Sequence, residues 1–380
     1  MLASELLDFC EAERDWVVET AIALARLESP TQDKIAVDRC GSELGERLEA
    51  IGATVETFAR DETGNPVRAR FGNGETQLLL LGHFDTVWPV GQLDRMPVRK
   101  NGGRLHGPGV FDMKAGIALG MLAARALSQL GLSSHKKLTM LLTADEERGS
   151  ASSRALVEAE AQRSDAVLVL EPSLPGGALK TSRKGGGVFE LTVHGIAAHA
   201  GVDPAKGASA IHELAEQIVE VSALQDLDRG VSVNVGFVEG GSQPNVVAER
   251  ARAVIDARVA TAEDASRIEA ALRALLPNRS GTKLDVNGGF LRPPFERTEA
   301  VINLYKIARE VAAKLGHDLG EGTTGGGSDG NLTAALGVPT LDGLGAIGDG
   351  AHALHEHVEI AELPWRSALV AGLINRLDEA

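Results

Sequence analysis

The first half of the chain alternates apolar runs with longer stretches of helical pattern. The apolar runs Leu78–Leu81, Leu138–Thr143 and Ala166–Leu170 lack polar alternation, which is typical of strands buried on both faces of a parallel sheet. The stretches predicted to be helical around them are Leu6–Leu27, Asp33–Ile51 and Ile117–Leu130. This order predicts an α/β domain whose mostly parallel central sheet is flanked by helices.

The pattern changes around Lys184–Gly187. Beyond this point the strands alternate apolar and polar residues, as expected when one face of a sheet is exposed. The predicted strands and helices are Val188–Gly195, Ala208–Leu227, Val231–Gly236, Ala253–Val259, Ala262–Leu276 and a strand near Leu284. This β-α-β-β-α-β order indicates a second domain, and a further helix is predicted after Glu299.

His83 follows the first apolar run, and Asp85 lies two residues further on. Open α/β sheets bind ligands at the carboxyl ends of their strands, so His83 is a candidate metal ligand. The carboxylate of Asp85 could accept the second ring N–H of His83, leaving the other nitrogen for a metal. A structural histidine is the alternative.

Asp112 follows the glycine-rich segment Gly107–Gly109 and precedes the helical stretch that starts at Ile117. The alternative to a metal ligand is an N-cap aspartate, a common use of aspartate before a helix. The glycine-rich approach favours a functional role.

Three acids, Asp145, Glu146 and Glu147, follow the second apolar run. Such a cluster is electrostatically unfavourable unless cations neutralise it. Glu147 could bind a metal while Glu146 takes a proton from a water molecule. The alternative is a solvated acidic turn.

Glu171 ends the third apolar run directly before Pro172, where a structural acid is the alternative. Near the carboxyl terminus, His352, His355 and His357 compete for one further ligand position. Together these residues provide the mixed nitrogen and oxygen ligands needed by two cations about 3.5 to 4 Å apart that share one carboxylate.

The chain resembles the M20 metallopeptidase family over nearly its whole length, closest in motif style to the glutamate carboxypeptidases. The segments that carry the resemblance occur in the family's order and spacing. They are Gly82–Val87, Gly107–Gly109, Asp112–Gly116, Thr143–Ser150, Glu171-Pro172, His199–Gly201, Gly326–Gly330, and His352 with Glu356.

This resemblance implies a pair of zinc ions, with cobalt or manganese as possible substitutes. It implies that Asp112 bridges the ions, that His83 and Glu171 complete one site, and that Glu147 and His352 complete the other. His352 is favoured over His355 and His357 because the family has a glutamate a few residues after this ligand, here Glu356. Glu146 matches the family's general base, and a cis peptide is expected between Asp112 and Met113.

The family resemblance also implies a catalytic domain of residues 1–183 and 296–380 and a lid or dimerisation domain of residues 184–295, hence a homodimer. His199 matches a histidine that reaches the other subunit's substrate and stabilises the oxyanion. Asn245, Arg258 and Arg292 match substrate-contacting positions, where arginine suits a carboxylate. The alternatives are a turn histidine for His199 and a surface turn for Arg292.

The glycine-rich segment 325–331 lacks the Gly-Lys-Ser/Thr ending of a phosphate-binding loop, which argues against nucleotide binding. The resemblance instead implies that Gly327 and Ser328 lie beside the substrate's terminal carboxylate, with backbone N–H groups as donors. Asp329 could equally cap a helix.

Composition and charge exclude several classes of protein and partner. A hydrophobic fraction of 43% is typical of a globular protein, and the net charge of −15 argues against nucleic acid or an anionic membrane as partner. Two cysteines rule out a disulfide framework. The amino-terminal residues lack the pattern of a secretory signal and no apolar run has transmembrane length, so a cytoplasmic location is expected.

The leading hypothesis is therefore an enzyme that uses two zinc ions to hydrolyse an amide bond and release a C-terminal amino acid, as a glutamate-type carboxypeptidase does. The basic pair Arg183-Lys184 departs from the glutamate carboxypeptidases and leaves the released amino acid open. An N-acyl-amino-acid deacylase or a dipeptidase is the same-family alternative. A non-catalytic binding protein is the alternative from another class.

Overall fold

The structure, a computed structural model, describes residues 2–132 and 136–378. The chain divides into two compact units. The first unit comprises Met1–Ser182, Arg297–Thr323 and Ser328–Ala380, and the second comprises Arg183–Glu296 and Thr324–Gly327. The predicted second domain, 184–295, is one residue shorter at each end than Arg183–Glu296. The sequence pattern did not predict that residues 324–327 also belong to the second unit.

The helices and strands are numbered in chain order. The helices are α1 Leu2–Ala12, α2 Arg14–Ala25, α3 Lys34–Ala50, α4 Ala115–Gln129, α5 Arg154–Ala161, α6 Ala210–Ser222, α7 Ala262–Arg273, α8 Glu299–Lys314, α9 Asp329–Ala335 and α10 Leu363–Asp378. The strands are β1 Thr54–Thr57, β2 Val67–Phe71, β3 Gln77–His83, β4 Arg99–Asn101, β5 Arg104–His106, β6 Lys137–Thr143, β7 Ala166–Val169, β8 Leu179–Arg183, β9 Gly185–His194, β10 Ser232–Gly240, β11 Arg250–Val259, β12 Lys283–Arg292, β13 Glu321–Thr324, β14 Thr340–Leu341, β15 Gly348–Asp349 and β16 His357–Glu359.

The first unit is built on a six-stranded sheet in the order β1-β2-β6-β3-β7-β14. The last four of these strands are parallel, while β1 and β2 pair antiparallel, so the predicted α/β class with a mostly parallel sheet is confirmed. Leu78 and Leu80 pack in the core under α1 to α4, α8 and α10, whereas Leu79 and Leu81 pack under α5 and α9. Both faces are covered, which explains the uninterrupted apolar run.

Two helical predictions need correction. The single helix predicted over Leu6–Leu27 is two helices, because Glu13 leaves helical geometry (φ −97°, ψ 17°) and separates α1 from α2. The break lets α1 pack on α10 while α2 packs on α4. Helix α10 was not predicted, because it is buried on nearly every side and shows no apolar stripe. None of the helices in residues 2–132 and 136–378 combines the length and hydropathy required to span a bilayer.

The second unit contains a four-stranded antiparallel sheet in the order β10-β11-β9-β12. Its elements follow one another as β9-α6-β10-β11-α7-β12, which is the predicted β-α-β-β-α-β order. Side chains such as Phe189, Leu191 and Ile255 form an apolar core under α6 and α7. Successive residues of β11 alternate between buried and more exposed positions, which is the pattern of a sheet with one open face.

Candidate metal centre

The central parallel strands bring three of the predicted ligands to one edge of the sheet. His83 is the last residue of β3 and lies in register with Thr143, the last residue of β6. Glu147 lies in the short 3-10 turn Glu146–Arg148 that follows β6, and Glu171 follows β7, the strand that pairs with the other side of β3. Carboxyl ends of parallel strands share one edge, so these side chains converge as the sequence predicted.

Asp112 lies in the loop between β5 and α4. The peptide between Asp112 and Met113 is cis, as predicted. Asp112 does not cap α4, because the helix begins at Ala115 and its N-cap is Lys114. Gly109 has a left-handed backbone (φ 68°), and a Cβ there would lie 2.5 Å from the side chain of Thr86. Glycine is therefore required for the close approach of this loop to the segment after β3.

The two carboxylate oxygens of Asp112 face different histidines. Oδ1 lies 3.2 Å from Nε2 of His83, and Oδ2 lies 3.3 Å from Nε2 of His352. His83 Nε2 is also 3.5 Å from Oε1 of Glu171, while His352 Nε2 is 3.2 Å from Oε2 of Glu147. The structure thus brings all five predicted ligands together as two histidine–carboxylate pairs on either side of Asp112.

These spacings fit metal ions. Ligand atoms that bind zinc tetrahedrally at about 2.0–2.1 Å lie about 3.3 Å from one another, and the four distances across this cluster are 3.2, 3.3, 3.5 and 3.2 Å. Two groups of potential ligands meet the spacing needed for an ion. They are His83, Asp112 and Glu147, and His83, Glu146 and Glu171. Glu146 therefore lies within reach of the same space as the ligands.

The electrostatics of the cluster favour bound positive charge. Burial alone would lower the pKa of His83, but the neighbouring carboxylates, Asp112 foremost, raise it well above its ordinary value. Asp112 and Glu147 together raise the pKa of His352 to about 10. Burial opposes ionisation of Asp112, yet the two histidines lower its pKa strongly. The carboxylates therefore favour positive charge at this point.

His352 has a left-handed backbone conformation (φ 61°), which is uncommon for a residue other than glycine and typical of functional sites. Of the three closing histidines, His352 is the one whose Nε2 faces Asp112 (3.3 Å) and Glu147 (3.2 Å). Nδ1 of His357 instead lies 2.9 Å from the carbonyl oxygen of His355, and His355 faces Asp349 at 3.9 Å. This arrangement agrees with the choice of His352.

Asp85 lies beside the second ring nitrogen of His83, as predicted, and contacts it through both backbone and carboxylate. Nδ1 of His83 is closer to the backbone carbonyl oxygen of Asp85 (3.1 Å) than to its carboxylate (3.4 Å). The carboxylate accepts the backbone N–H groups of Glu146 and Glu147, each at 3.2 Å, and the hydroxyl of Thr31 at 2.7 Å. Asp85 therefore positions the acidic turn as well as the histidine. Thr31 was missed because nothing in its local sequence points to this distant contact.

The acidic turn is not solvated. Asp145 and Glu146 are buried, and the carboxylate of Asp145 accepts the N–H of Ser152 at 2.8 Å and the hydroxyl of Ser153. Asp145 thus stabilises its own turn, whereas its neighbours point their carboxylates into the ligand cluster. The solvated-turn alternative is excluded.

In the second unit, His199 and Asn245 lie in adjacent segments. His199 forms a bridge with Val246, and the N–H of Ala200 donates to the carbonyl oxygen of Asn245 at 2.9 Å. The His199 ring is exposed, and its Nδ1 accepts the backbone N–H groups that follow it in the turn, both at 3.1 Å. This assigns the ring proton to Nε2, which can donate a hydrogen bond outward.

Arg258 and Arg292 flank one glycine. Both are in register with Gly186 of β9, so the three residues share one face of the sheet. The guanidinium of Arg258 forms two hydrogen bonds to Asp256, at 3.0 and 2.9 Å, and a Cβ at Gly186 would lie 2.6 Å from its Nη1. Arg292 ends β12 and is buried, so the surface-turn alternative is excluded.

The glycine-rich segment is held by Arg183. The buried Arg183 guanidinium donates to the carbonyl oxygens of Gly326 (3.1 Å) and Gly327 (3.2 Å). The backbone N–H of Lys184 donates to the carbonyl oxygen of Thr324 (3.0 Å). These bonds explain why residues 324–327 belong to the second unit. The basic pair Arg183-Lys184, which departs from the glutamate carboxypeptidases, thus holds the glycine-rich segment in place.

Ser328 is engaged within the protein, and its place beside the substrate's carboxylate stays a prediction. It is fully buried and caps α9, where its hydroxyl accepts from the N–H of Gly330 (3.0 Å) and donates to Asp342 (2.8 Å). Its own N–H donates to the Asn331 side chain. Asp329, considered as a cap, instead accepts the hydroxyls of Thr143 and Ser150.

Comparisons with known proteins identify the family and the fold. The model of the family described as peptidase family M20/M25/M40 matches residues 79–376. Carboxypeptidase G2 from Pseudomonas sp. (strain RS-16) is 31% identical over 95% of this chain and 89% of its own length. A succinyl-diaminopimelate desuccinylase from Bordetella petrii is 30% identical over 85% of this chain and 88% of its own. The crystal structure of aminopeptidase PepT from Bacillus cereus shares the fold, with a TM-score of 0.79 at 23% identity over 96% of this chain and 98% of that one.

Proposed function

This chain belongs to peptidase family M20/M25/M40 and is a metallopeptidase-type hydrolase, and we propose that it releases a C-terminal amino acid from a peptidyl or N-acyl substrate at a centre of two metal ions. The observation that carries this proposal is the placement of Asp112 between two histidine–carboxylate pairs. Two zinc ions, or cobalt or manganese in their place, would polarise the attacking water and the scissile carbonyl.

Glu146 is proposed as the general base. Its backbone is fixed by Asp85, and its carboxylate lies within ligand distance of His83 and Glu171, next to the reaction space. In this position it takes a proton from the attacking water and passes it to the leaving amine. Asp112, Glu147 and the other ligands are expected to hold the metal ions.

The second unit provides candidate groups for substrate binding. Arg292 and Arg258 suit a substrate carboxylate, because a guanidinium can bind both oxygens at once. Nε and Nη2 of Arg258 already donate to Asp256, so Nη1 is the nitrogen that Arg258 would offer to the substrate. The proton on Nε2 of His199 suits an oxyanion, as the family resemblance implies. Asn245 and the backbone of Gly327 remain predicted substrate contacts.

A homodimer through the second unit is also proposed. Strand β10 forms one edge of the four-stranded sheet, and the apolar side chains Phe237, Val238 and Ile211 are exposed on or beside it. An exposed edge with apolar side chains is suited to pairing with the same edge of a second copy about a twofold axis. Replacing Val238 with lysine should shift the molar mass measured by light scattering from dimer to monomer, whereas an unchanged mass would contradict this interface.

The activity is tested with a panel of acyl-glutamates, other N-acyl amino acids, succinylated substrates and dipeptides, using enzyme loaded with zinc or cobalt. Glu146→Gln should reduce amino-acid release about 10²- to 10⁴-fold while keeping bound metal. Release restricted to acyl-glutamates would establish a glutamate-type carboxypeptidase.

The panel also separates the alternatives. Preference for another amino acid or acyl group would establish a deacylase or dipeptidase, an alternative favoured by the similarity to a desuccinylase. Absence of any release from metal-loaded protein would support a non-catalytic binding protein and contradict the proposed activity.

A further inference from the structure

The fully buried carboxylate of Glu356 holds the loop that carries the bridging ligand. Its Oε1 accepts the backbone N–H groups of Phe111 (2.9 Å) and Asp112 (3.1 Å). Its Oε2 accepts the N–H of Gly109 (3.0 Å) and the indole N–H of Trp88 (2.9 Å). All four hydrogen bonds of this carboxylate therefore come from two segments beside the metal ligands.

Glu356 also belongs to the loop that carries His352. That loop folds back on itself through two backbone hydrogen bonds, from Ala353 to Gly350 (2.8 Å) and from Glu356 to Ala353 (2.9 Å). A Cβ at Gly350 would lie 2.9 Å from the Cα of Glu356, so the turn is tightly packed. Because Asp112 and His352 face each other across the site, one side chain connects the loops of two opposing ligands.

The four donors favour an ionised carboxylate at this position. All four partners are N–H donors, and an ionised carboxylate is the side chain that offers only acceptors. A glutamine at position 356 would point its NH₂ group at two of these donors and leave them unsatisfied. Burying a charge is costly unless it is fully hydrogen-bonded, so the four donors explain how it is tolerated here.

We propose that Glu356, assisted by Trp88, is a positioning residue that holds Asp112 in its metal-binding place before any ion binds. The inference rests on the proposed metal centre, because it assigns Glu356 a role only through Asp112. Residues that orient metal ligands typically change metal affinity or activity 10- to 100-fold when they are replaced. Glu356 touches no substrate and is not itself a ligand.

The test measures zinc affinity. Metal-free wild-type protein, Glu356→Gln and Glu213→Gln are titrated with zinc against a chromophoric chelator. Glu213 is a matched control, because it is a buried carboxylate of the second unit that also accepts four hydrogen bonds. We expect Glu356→Gln to bind zinc 10- to 100-fold more weakly and to regain activity at saturating zinc, and Glu213→Gln to bind zinc like the wild type.

The outcomes separate this inference from the proposed function. Wild-type protein that binds fewer than two ions would overturn the metal centre itself, and the role of Glu356 with it. Two ions in the wild type and an unchanged affinity in Glu356→Gln would overturn only the positioning role. An equal loss in Glu213→Gln would also overturn it, since the effect would then be one of general stability.

A milder variant covers the case in which Glu356→Gln does not fold. Trp88→Phe removes one of the four donors and keeps an aromatic ring. We expect it to weaken zinc binding severalfold without loss of the circular dichroism spectrum of the wild type. Unchanged zinc affinity in Trp88→Phe would contradict the proposal.

Discussion

Two buried glutamates, one in each unit, accept four hydrogen bonds each but hold different kinds of loop. In the second unit, Glu213 of α6 accepts from the backbone of Asn278 and Arg279 and from the side chains of Gln217 and Thr282, at 2.7 to 3.1 Å. Three of these partners, all but Gln217 of α6 itself, connect α6 to the loop between α7 and β12. Glu356 accepts from a loop that carries a metal ligand.

A buried glutamate that accepts four hydrogen bonds thus stabilises the fold of the second unit, and in the first unit it holds a loop of the metal site. Burial raises the pKa of Glu356 to about 7 even though its donors oppose the shift. Burial acts in the same direction on Glu213, but there the donors outweigh it and the pKa is lowered. The loop held by Glu213 is expected to be stable by itself, whereas the loop held by Glu356 faces a cluster of carboxylates that needs cations.

Metal removal should separate the two loops most clearly. Without ions, the cluster around Asp112 loses the positive charge that offsets its carboxylates, so its loop should open more often. Ions present at about 1,000 times their Kd stabilise the protein by about 4 kcal/mol. Hydrogen exchange should become faster at residues 109–112 when a chelator is added. The exchange rate at residues 276–282 should not change. Equal acceleration in both loops would contradict the comparison.

Glu213→Gln should destabilise the second unit by about 1–3 kcal/mol, because it leaves buried donors without an acceptor. Urea unfolding followed by hydrogen exchange of β9 and β11 would measure the loss. Glu216→Gln is the matched control on the same helix, since its exposed ion pair with Arg279 is expected to contribute about 0–1 kcal/mol. Similar losses of unfolding free energy in the two variants would mean that the buried hydrogen bonds of Glu213 stabilise the unit no more than an exposed ion pair does.

Thr31→Val should lower activity severalfold, because it removes the hydroxyl that Asp85 accepts and loosens the turn of Glu146 and Glu147. The loss of one hydrogen bond costs about 1 kcal/mol. Thr20→Val is the control, since that buried hydroxyl donates to the Trp16 carbonyl within α2. Both variants should lose similar stability, and a loss of kcat in Thr20→Val as large as in Thr31→Val would refute a specific role for Thr31.

The smallest effect concerns pH. The pKa of Glu213 is lowered from its ordinary value of 4.5, so its contribution to stability is fully present above that value and is lost as the pH falls through the lowered pKa. The difference in unfolding free energy between wild type and Glu213→Gln should therefore shrink on acidification below pH 4.5. A difference that grows in acid would show that the pKa is raised instead.

The sequence predicted the metal cluster better than the groups that hold it. His83, Asp112, Glu147 and Glu171 follow strands or a glycine-rich turn, so local pattern and family resemblance both point to them. The contact of Thr31 with Asp85 joins residues 54 positions apart, and those of Glu356 join residues up to 268 positions apart. Hydrogen bonds of this kind leave no periodic trace in the sequence.

The fold, too, was predicted in some parts and missed in others. The amphipathic elements of the second unit were predicted in their observed order, because one exposed face gives each strand an alternating pattern. Helix α10 was missed because it is almost entirely buried, and the break at Glu13 because no glycine or proline marks it. The sequence did not predict that Ser328 caps α9, because a capping serine and a ligand-binding serine look alike in a glycine-rich segment.

The central claim is that Asp112 is shared between two metal ions, and zinc stoichiometry tests it most directly. Wild-type protein, Glu171→Gln and Asp112→Asn would be dialysed against buffered zinc and analysed for bound metal per chain. The account predicts two ions in the wild type, one tightly bound ion in Glu171→Gln and weakened binding of both ions in Asp112→Asn. An Asp112→Asn protein that keeps one ion at wild-type affinity would contradict a shared ligand.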